Sequence, residues 1–252
     1  MPKSILARIL DDAAVHRASN EKFLAVFDLD STLFDLTLRI SKIVEDFRND
    51  EANKARFPTE CEQLKDFVLN PDEWGMDLGL ARIGLNGQEH RPFLEALHIF
   101  WADCFFSGSH LHHDEPLPGS VEFVQALLKT GAHIMYLTGR DIPRMLEGTV
   151  RILRERGFPV DGDNVEVILK PVASMDDARF KADVLKTSVK LYKTIWLFEN
   201  EPANLNLVAK ELPSIGLVFI ESCHSGREQL DGVLDRIKHF EVDASEFEHY
   251  SK

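Results

Sequence analysis

Five short apolar runs punctuate the chain: "FLAVFDLD" (23–30), "HIMYLTGR" (133–140), "VEVILK" (165–170), "TIWLFEN" (194–200) and "GLVFIES" (216–222). Each is nearly continuous in apolar residues, the pattern of a strand covered on both faces, as in a parallel sheet. Helix-period stretches lie between the later runs. In 120–132, Val121, Val124, Leu127 and Leu128 fall on one face and Gly131 supplies a stop. In 142–158, Pro143 stands near the start and Gly157 at the end, the usual helix asymmetry. The stretch 176–192 opens on two acids, which suit a helix N-terminus, and 201–214 carries Pro202 in its first turn and Pro213 beyond its end. This alternation predicts an α/β fold with a doubly wound, Rossmann-like parallel sheet.

One gap breaks the rhythm. The first run ends at 30 and the second begins at 133, while the later runs follow closely on one another. Within the gap, 37–49, 60–69 and 91–106 all carry helix-period apolar residues. The expected organisation is therefore an α/β core built from 1–35 and 116–252, with a helical cap inserted at 36–115. Residues 70–87, rich in Gly and turn formers, are predicted to be irregular.

The bulk numbers narrow the class. At 252 residues, one core domain with an insertion fits well, and 44% hydrophobic with 28% charged residues is enough to bury a real core. A net charge of −13 argues against sequence-independent nucleic-acid binding and against anionic membrane surfaces. It leaves room for a small phosphorylated molecule, because a site can be locally positive or hold a cation. No apolar run approaches the roughly 18 residues of a membrane span. Cys61, Cys104 and Cys223 are far apart with no CxxC pair, and the N-terminal stretch reads as an amphipathic helix rather than a secretory leader. Reduced thiols in a cytoplasmic setting are the expectation.

In an open α/β sheet, ligands bind beyond the carboxyl ends of the strands. The polar residues closing the runs are therefore expected to meet: Asp28 and Asp30; Thr138, Gly139 and Arg140; Lys170; Glu199 and Asn200. Two carboxylates two residues apart on a regular strand face the same side, and they repel unless a proton or cation stands between them. Mg²⁺, a hard ion that takes oxygen ligands and substrate phosphates, is the natural cation. The "HLHH" at 110–113 lacks helical metal-ligand spacing, and Trp74 and Trp101 read as core residues of the insertion.

"VFDLDST" (26–32) resembles the D-x-D-x-T signature of the haloacid dehalogenase superfamily, whose members are mostly phosphatases. "YLTGR" (136–140) is similar to that family's second motif, and "WLFENEPANL" (196–205) stands where its fourth, metal-binding motif belongs. The resemblance implies that Asp28 is a nucleophile forming an aspartyl-phosphate, and that Asp30 is the acid and then the base. Asp30 would also ligate the metal through its main-chain carbonyl. An acid at this place favours phosphoester hydrolysis over dehalogenation, since a halide leaves without a proton. Thr138, helped by the Gly139 amide, would hold a phosphoryl oxygen. Arg140 would grip substrate or pair with an acid on a helix. Two lysines compete to offset the phosphate charge: Lys181 in "ARFKADVL" and Lys170 in "ILKP". The fourth motif departs from the family pattern, with Asn200 and Asn204 where Asp is usual, so Asn200 or Glu199 is the remaining metal ligand.

The implied activity is Mg²⁺-dependent hydrolysis of a small phosphorylated substrate selected by the cap. Two alternatives stay open: a phosphate-binding module with weak or no turnover, and a phosphotransferase that uses the same aspartyl-phosphate. The helical insertion is a face that could pair with a second copy of the chain to form a homodimer.

Overall fold

A computed structural model describes residues 3–243. Met1 and Pro2, and the stretch 244–252 at the end of the expected core segment, lie outside the described residues. The chain opens on helix α1 (Ile5–Ala18), whose N-cap Ser4 accepts from the Ala7 N–H, and then enters strand β1 (Phe23–Phe27). A two-residue strand β2 (Phe34–Asp35) leads into the helices α2 (Thr37–Asn49), α3 (Glu51–Arg56), α4 (Pro58–Gln63), α5 (Asp77–Arg82) and α6 (Arg91–Phe105). The chain returns through β3 (Glu115–Pro116), which pairs antiparallel with β2. It then alternates: α7 (Ser120–Thr130), β4 (His133–Asp141), α8 (Ile142–Glu155), β5 (Val165–Lys170), α9 (Asp177–Ser188), β6 (Thr194–Glu199), α10 (Pro202–Glu211), β7 (Gly216–Ile220) and β8 (Asp235–Ile237).

The large strands form one parallel sheet in the order β5-β4-β1-β6-β7-β8, so the fold is the doubly wound α/β expected from the periodicity. All five residues of β1 are buried, and the alternation of its side chains explains why the run is apolar throughout. Phe23, Ala25 and Phe27 enter the core beneath α1 and α7, while Leu24 and Val26 enter the one beneath α9 and α10. Phe27 stacks on Phe198 of the adjacent strand with ring centroids 4.6 Å apart. Among the described residues, no helix is long and apolar enough to cross a membrane.

The structure corrects three local expectations. Trp74, expected in the core of the insertion, is 54% exposed. The stretch 70–87 contains helix α5, hidden by its glycines. A Cβ at Gly79 would lie 2.6 Å from the Phe67 ring and 2.9 Å from the Val68 carbonyl, so glycine serves packing there rather than a turn. A sixth strand, β8, was also not expected, because "DRI" is too short and polar to read as one; it is held only along β7.

Candidate active site

The carboxyl end of β1 lies between those of β4 and β6, at the centre of the sheet. The Asp28 N–H continues the pairing by donating to the Phe198 carbonyl at 3.0 Å. The chain then turns sharply: Ser31 adopts φ +60°, and the Leu29 carbonyl receives the N–H groups of Thr32, Leu33 and Phe34. This turn separates the two aspartates and gives each its own cations.

Asp28 is 5% exposed. Its Oδ1 accepts from Lys181 Nζ at 2.6 Å, and the same ammonium donates to Glu199 Oε2 at 2.6 Å. Lys181 comes from the first turns of α9 and is 2% exposed. Of the two candidate lysines, the structure brings Lys181 to the site. Two carboxylates share one ammonium here, leaving a buried excess of negative charge. Burial pushes the Asp28 carboxyl up to about 7, with Lys181 opposing and Glu199 adding to the rise. Burial would lower the Lys181 ammonium, but the two carboxylates outweigh it and raise it.

Glu199 ends β6 with both oxygens engaged. Oε2 takes Lys181, and Oε1 takes the N–H groups of Asn200 at 3.1 Å and Glu201 at 3.0 Å. This corrects the expectation of Glu199 as a metal ligand: it anchors the lysine and the start of α10. Asn200 donates its amide N–H to the Cys223 carbonyl at 2.7 Å and accepts from Thr32 Oγ1 at 3.1 Å. That pairing ties the β1 turn to the β6 end, and Asn204 is buried one helical turn further on.

Thr138 is fully buried towards the carboxyl end of β4, and its Oγ1 accepts from the Arg140 N–H at 3.3 Å. The pairing of β4 with β5 slips between Thr138 and Asp141, which lifts Gly139 and Arg140 out of register. Gly139 permits this because a Cβ there would lie 2.6 Å from Asp177 Oδ2.

One further expectation is corrected, for Lys170, and of the two readings open for Arg140 the structure shows pairing with acids, though not on a helix. Lys170 is held by partners other than Asp28. Its ammonium bonds Asp177 Oδ1 at 2.6 Å and the carbonyls of Ala173 and Met175 at 3.1 Å, tying the loop before α9 to the end of β5. Arg140 is buried and holds protein rather than an open surface. Its Nε and Nη2 grip Asp30 at 3.0 and 2.7 Å, and Nη2 also reaches Asp114 at 2.7 Å. Arg39 of α2 adds a third donor to Asp30 at 2.7 Å. Burial opposes ionisation of Asp30, but the two guanidiniums outweigh it and hold the carboxyl well below the usual range.

Arg39 and Asp114 were missed by sequence reasoning. Arg39 had a readable signal, because it occupies a core position in the α2 stripe Ile40, Ile43, Val44, Phe47, where an unpaired charge would be costly. Asp114 had none beyond its place after the histidines.

Among the described residues, no group of three or more His, Cys, Asp and Glu side chains is placed to hold a metal. A cation at this corner would depend on the Asp28 carboxylate, the Asp30 main-chain carbonyl and the Asn200 amide oxygen. These are hard oxygen donors with one formal charge, a set that suits Mg²⁺ with its retained waters. The uncompensated charge around Asp28 is itself a reason for a cation there.

No protein-family model matches the chain, and no curated protein matches it. Solved structures do. The protein tyrosine kinase A (PtkA) of Mycobacterium tuberculosis aligns over 91% of this chain and 97% of its own, at 17% identity and a TM-score of 0.51. The chain shares its fold with that protein. A haloacid dehalogenase superfamily hydrolase from Ehrlichia chaffeensis aligns at 10% identity and a TM-score of 0.48, covering 87% of this chain and 93% of the other. CbbY from Rhodobacter sphaeroides, solved in complex with phosphate, aligns at 14% identity and 0.48, covering 86% and 94%.

Proposed function

We propose that the chain is a magnesium-dependent phosphatase of the haloacid dehalogenase type, acting on a small phosphorylated molecule through an aspartyl-phosphate. The observation that carries this reading is the Lys181 ammonium bonded to Asp28 at the carboxyl end of the central strand. A carboxylate fixed by a lysine, beside a backbone turn and a buried threonine, is an arrangement for attacking an electron-poor phosphorus.

An oxygen of Asp28 attacks phosphorus as the bond to the leaving oxygen breaks. Thr138 Oγ1 and the Gly139 N–H take up charge on the phosphoryl oxygens. Lys181 keeps Asp28 oriented and offsets the charge that builds between them. Asp30 is ionised between its arginines, and once an oxygen leaves that grip it can take a proton from the water that attacks phosphorus as the Asp28 O–P bond breaks. To protonate a leaving alkoxide it must first gain a proton, which requires it to move out of that grip. Asp28, the Asp30 main-chain carbonyl and Asn200 would hold Mg²⁺. When bound, the ion supplies charge neutralisation for the substrate phosphoryl group. The helices between β2 and β3 form the cap that excludes water and selects the substrate, and the acidic chain acts on soluble molecules rather than on nucleic acid or membrane.

The test is phosphate release from p-nitrophenyl phosphate and from a panel of phosphorylated metabolites, with Mg²⁺ and with chelator. Turnover that needs Mg²⁺ and is lost in Asp28→Asn is the expected result. A second reading, a phosphate-binding module without turnover, draws support from the neutral Asn200 and the deep burial of Asp28. Binding of inorganic phosphate by a wild type that releases none from any substrate would select it.

A further inference from the structure

The chain leaves the sheet through β2 and returns through β3, and a charged residue stands just beyond each of these strands. Arg39 lies in the first turn of α2, and Asp114 immediately precedes β3. Both side chains are 0% exposed. Arg39 donates through Nη2 to Asp30 Oδ1 at 2.7 Å, and its Nε lies 3.1 Å from Asp114 Oδ1. Its guanidinium also stacks over the Phe105 ring at the end of α6, 4.1 Å from the centroid. Arg140, from the sheet, closes the circuit by gripping Asp30 and Asp114 together.

Two features mark this as more than a structural ion cluster. First, its hydrogen bonding is incomplete. Arg39 Nη1 is buried without a partner, and Arg39 Nε meets Asp114 Oδ1 only as an ion pair at 3.1 Å, outside hydrogen-bond geometry. Buried charges with unmet bonding add little stability, and apolar residues of similar volume would serve packing as well. Second, every member touches either Asp30 or a connection of the insertion. Both oxygens of Asp30 are taken up by arginine donors, and Asp30 itself bridges to Phe34 in β2.

We propose that Arg39 and Asp114 are positioning residues: with Arg140 they form a clasp that ties both connections of the helical insertion to the Asp30 carboxylate, so that the seating of the insertion and the placement of Asp30 are one event. The consequence for turnover rests on the phosphatase reading, while the tether itself does not. An insertion that swings away takes Arg39 with it and leaves Asp30 to Arg140 alone, with one donor fewer on Oδ1. An insertion that settles returns the carboxylate to one fixed position.

The test is amide hydrogen exchange on the full chain, comparing wild type with Arg39→Met, Asp30→Ala and the double variant. The reporter is the Leu117 N–H, which bonds the Leu33 carbonyl at 2.8 Å where the two connections meet. The Ala25 and Leu197 amides in the sheet show whether each variant is folded. Either single change should speed exchange at Leu117 by about tenfold or more, the double variant should add little, and Arg39→Lys should recover part of the loss. Independent, additive effects, or loosening by Arg39→Met alone, would overturn the clasp and leave Arg39 as packing for Phe105. Where the wild type releases phosphate, Arg39→Met should lower kcat with KM little changed, and should lower nothing further in the Asp30→Ala background. A wild type without turnover sinks the phosphatase reading, and the exchange result still decides the clasp.

Discussion

Lys181 donates to Asp28 across 2.6 Å, and its second donor is held by Glu199 at the same distance. The ammonium is the hinge of the site, because it neutralises one of two buried carboxylates and leaves the other to be met from outside.

Replacing Lys181 with Met should therefore destabilise the protein by about 3–5 kcal/mol, since two buried carboxylates lose their cation. Adding Glu199→Gln should recover part of that loss by removing one of the stranded charges. Urea unfolding of the single and double variants checks this, and equal stabilities for the two would show that Glu199 is not in the circuit. Phosphate release should fall by about 10²–10³ in Lys181→Met, the scale for losing an electrostatic group at a reacting centre.

Asn200 yields a prediction that needs no turnover. Its amide N–H donates to the Cys223 carbonyl at 2.7 Å. Asn200→Asp places a carboxylate oxygen against that carbonyl and adds charge beside Asp28. Without metal, the variant should lose about 1–3 kcal/mol, the cost of turning a buried hydrogen bond into a repulsion. If this corner takes Mg²⁺ as proposed, the added charge becomes an asset. Melting should therefore rise more steeply with Mg²⁺ concentration in the variant than in the wild type. A wild type and variant that respond alike to Mg²⁺ would place the cation elsewhere.

How far the site was legible follows from where its determinants lie. Asp28, Thr138 and Asn200 could be read because each closes an apolar run, and the sheet brings strand ends together whatever the loops do. Lys181 could be placed early in its helix, but its choice over Lys170 depended on the direction of the chain after β5. There the Lys170 ammonium is captured by Asp177 and two carbonyls. Arg140 stayed open between a substrate and an acid because its partner Asp114 sits across the insertion, a contact no local pattern encodes. Glu199 looked like a metal ligand until its two oxygens were accounted for. Helix α5 and strand β8 were hidden for opposite reasons, one by a glycine that packing requires and the other by shortness.

Gly148 reverses a usual expectation. It lies inside α8, where Gly→Ala ordinarily stabilises by about 0.5–1 kcal/mol through helix propensity. Here a Cβ would lie 2.8 Å from Gly108 Cα and 3.0 Å from Leu111 Cδ1, on the chain returning from the insertion. A backbone atom cannot rotate aside. Gly148→Ala should instead destabilise by about 1–3 kcal/mol, the range for overpacking. Thermal unfolding decides the sign, and a gain in stability would mean that the 107–111 segment yields freely.

Asp141 ties stability to pH at the start of α8. It is the N-cap, accepting from the Arg144 N–H at 3.1 Å and from Arg144 Nε at 2.7 Å. Burial opposes its ionisation, but these bonds and the Arg144 charge outweigh it, so its carboxyl lies below the usual range. A depressed carboxyl contributes stability that is fully present above its unfolded pKa of about 3.9 and is lost as pH falls through the folded value. Asp141→Asn keeps a capping oxygen but removes the titrating charge. The variant should be less stable than wild type near neutral pH, by about 0.5–2 kcal/mol. The gap should close as pH falls below about 4, where the wild-type carboxyl takes up its proton. Urea unfolding at a series of pH values measures both curves, and curves that stay parallel through that range would show that the Arg144 pairing contributes nothing to stability.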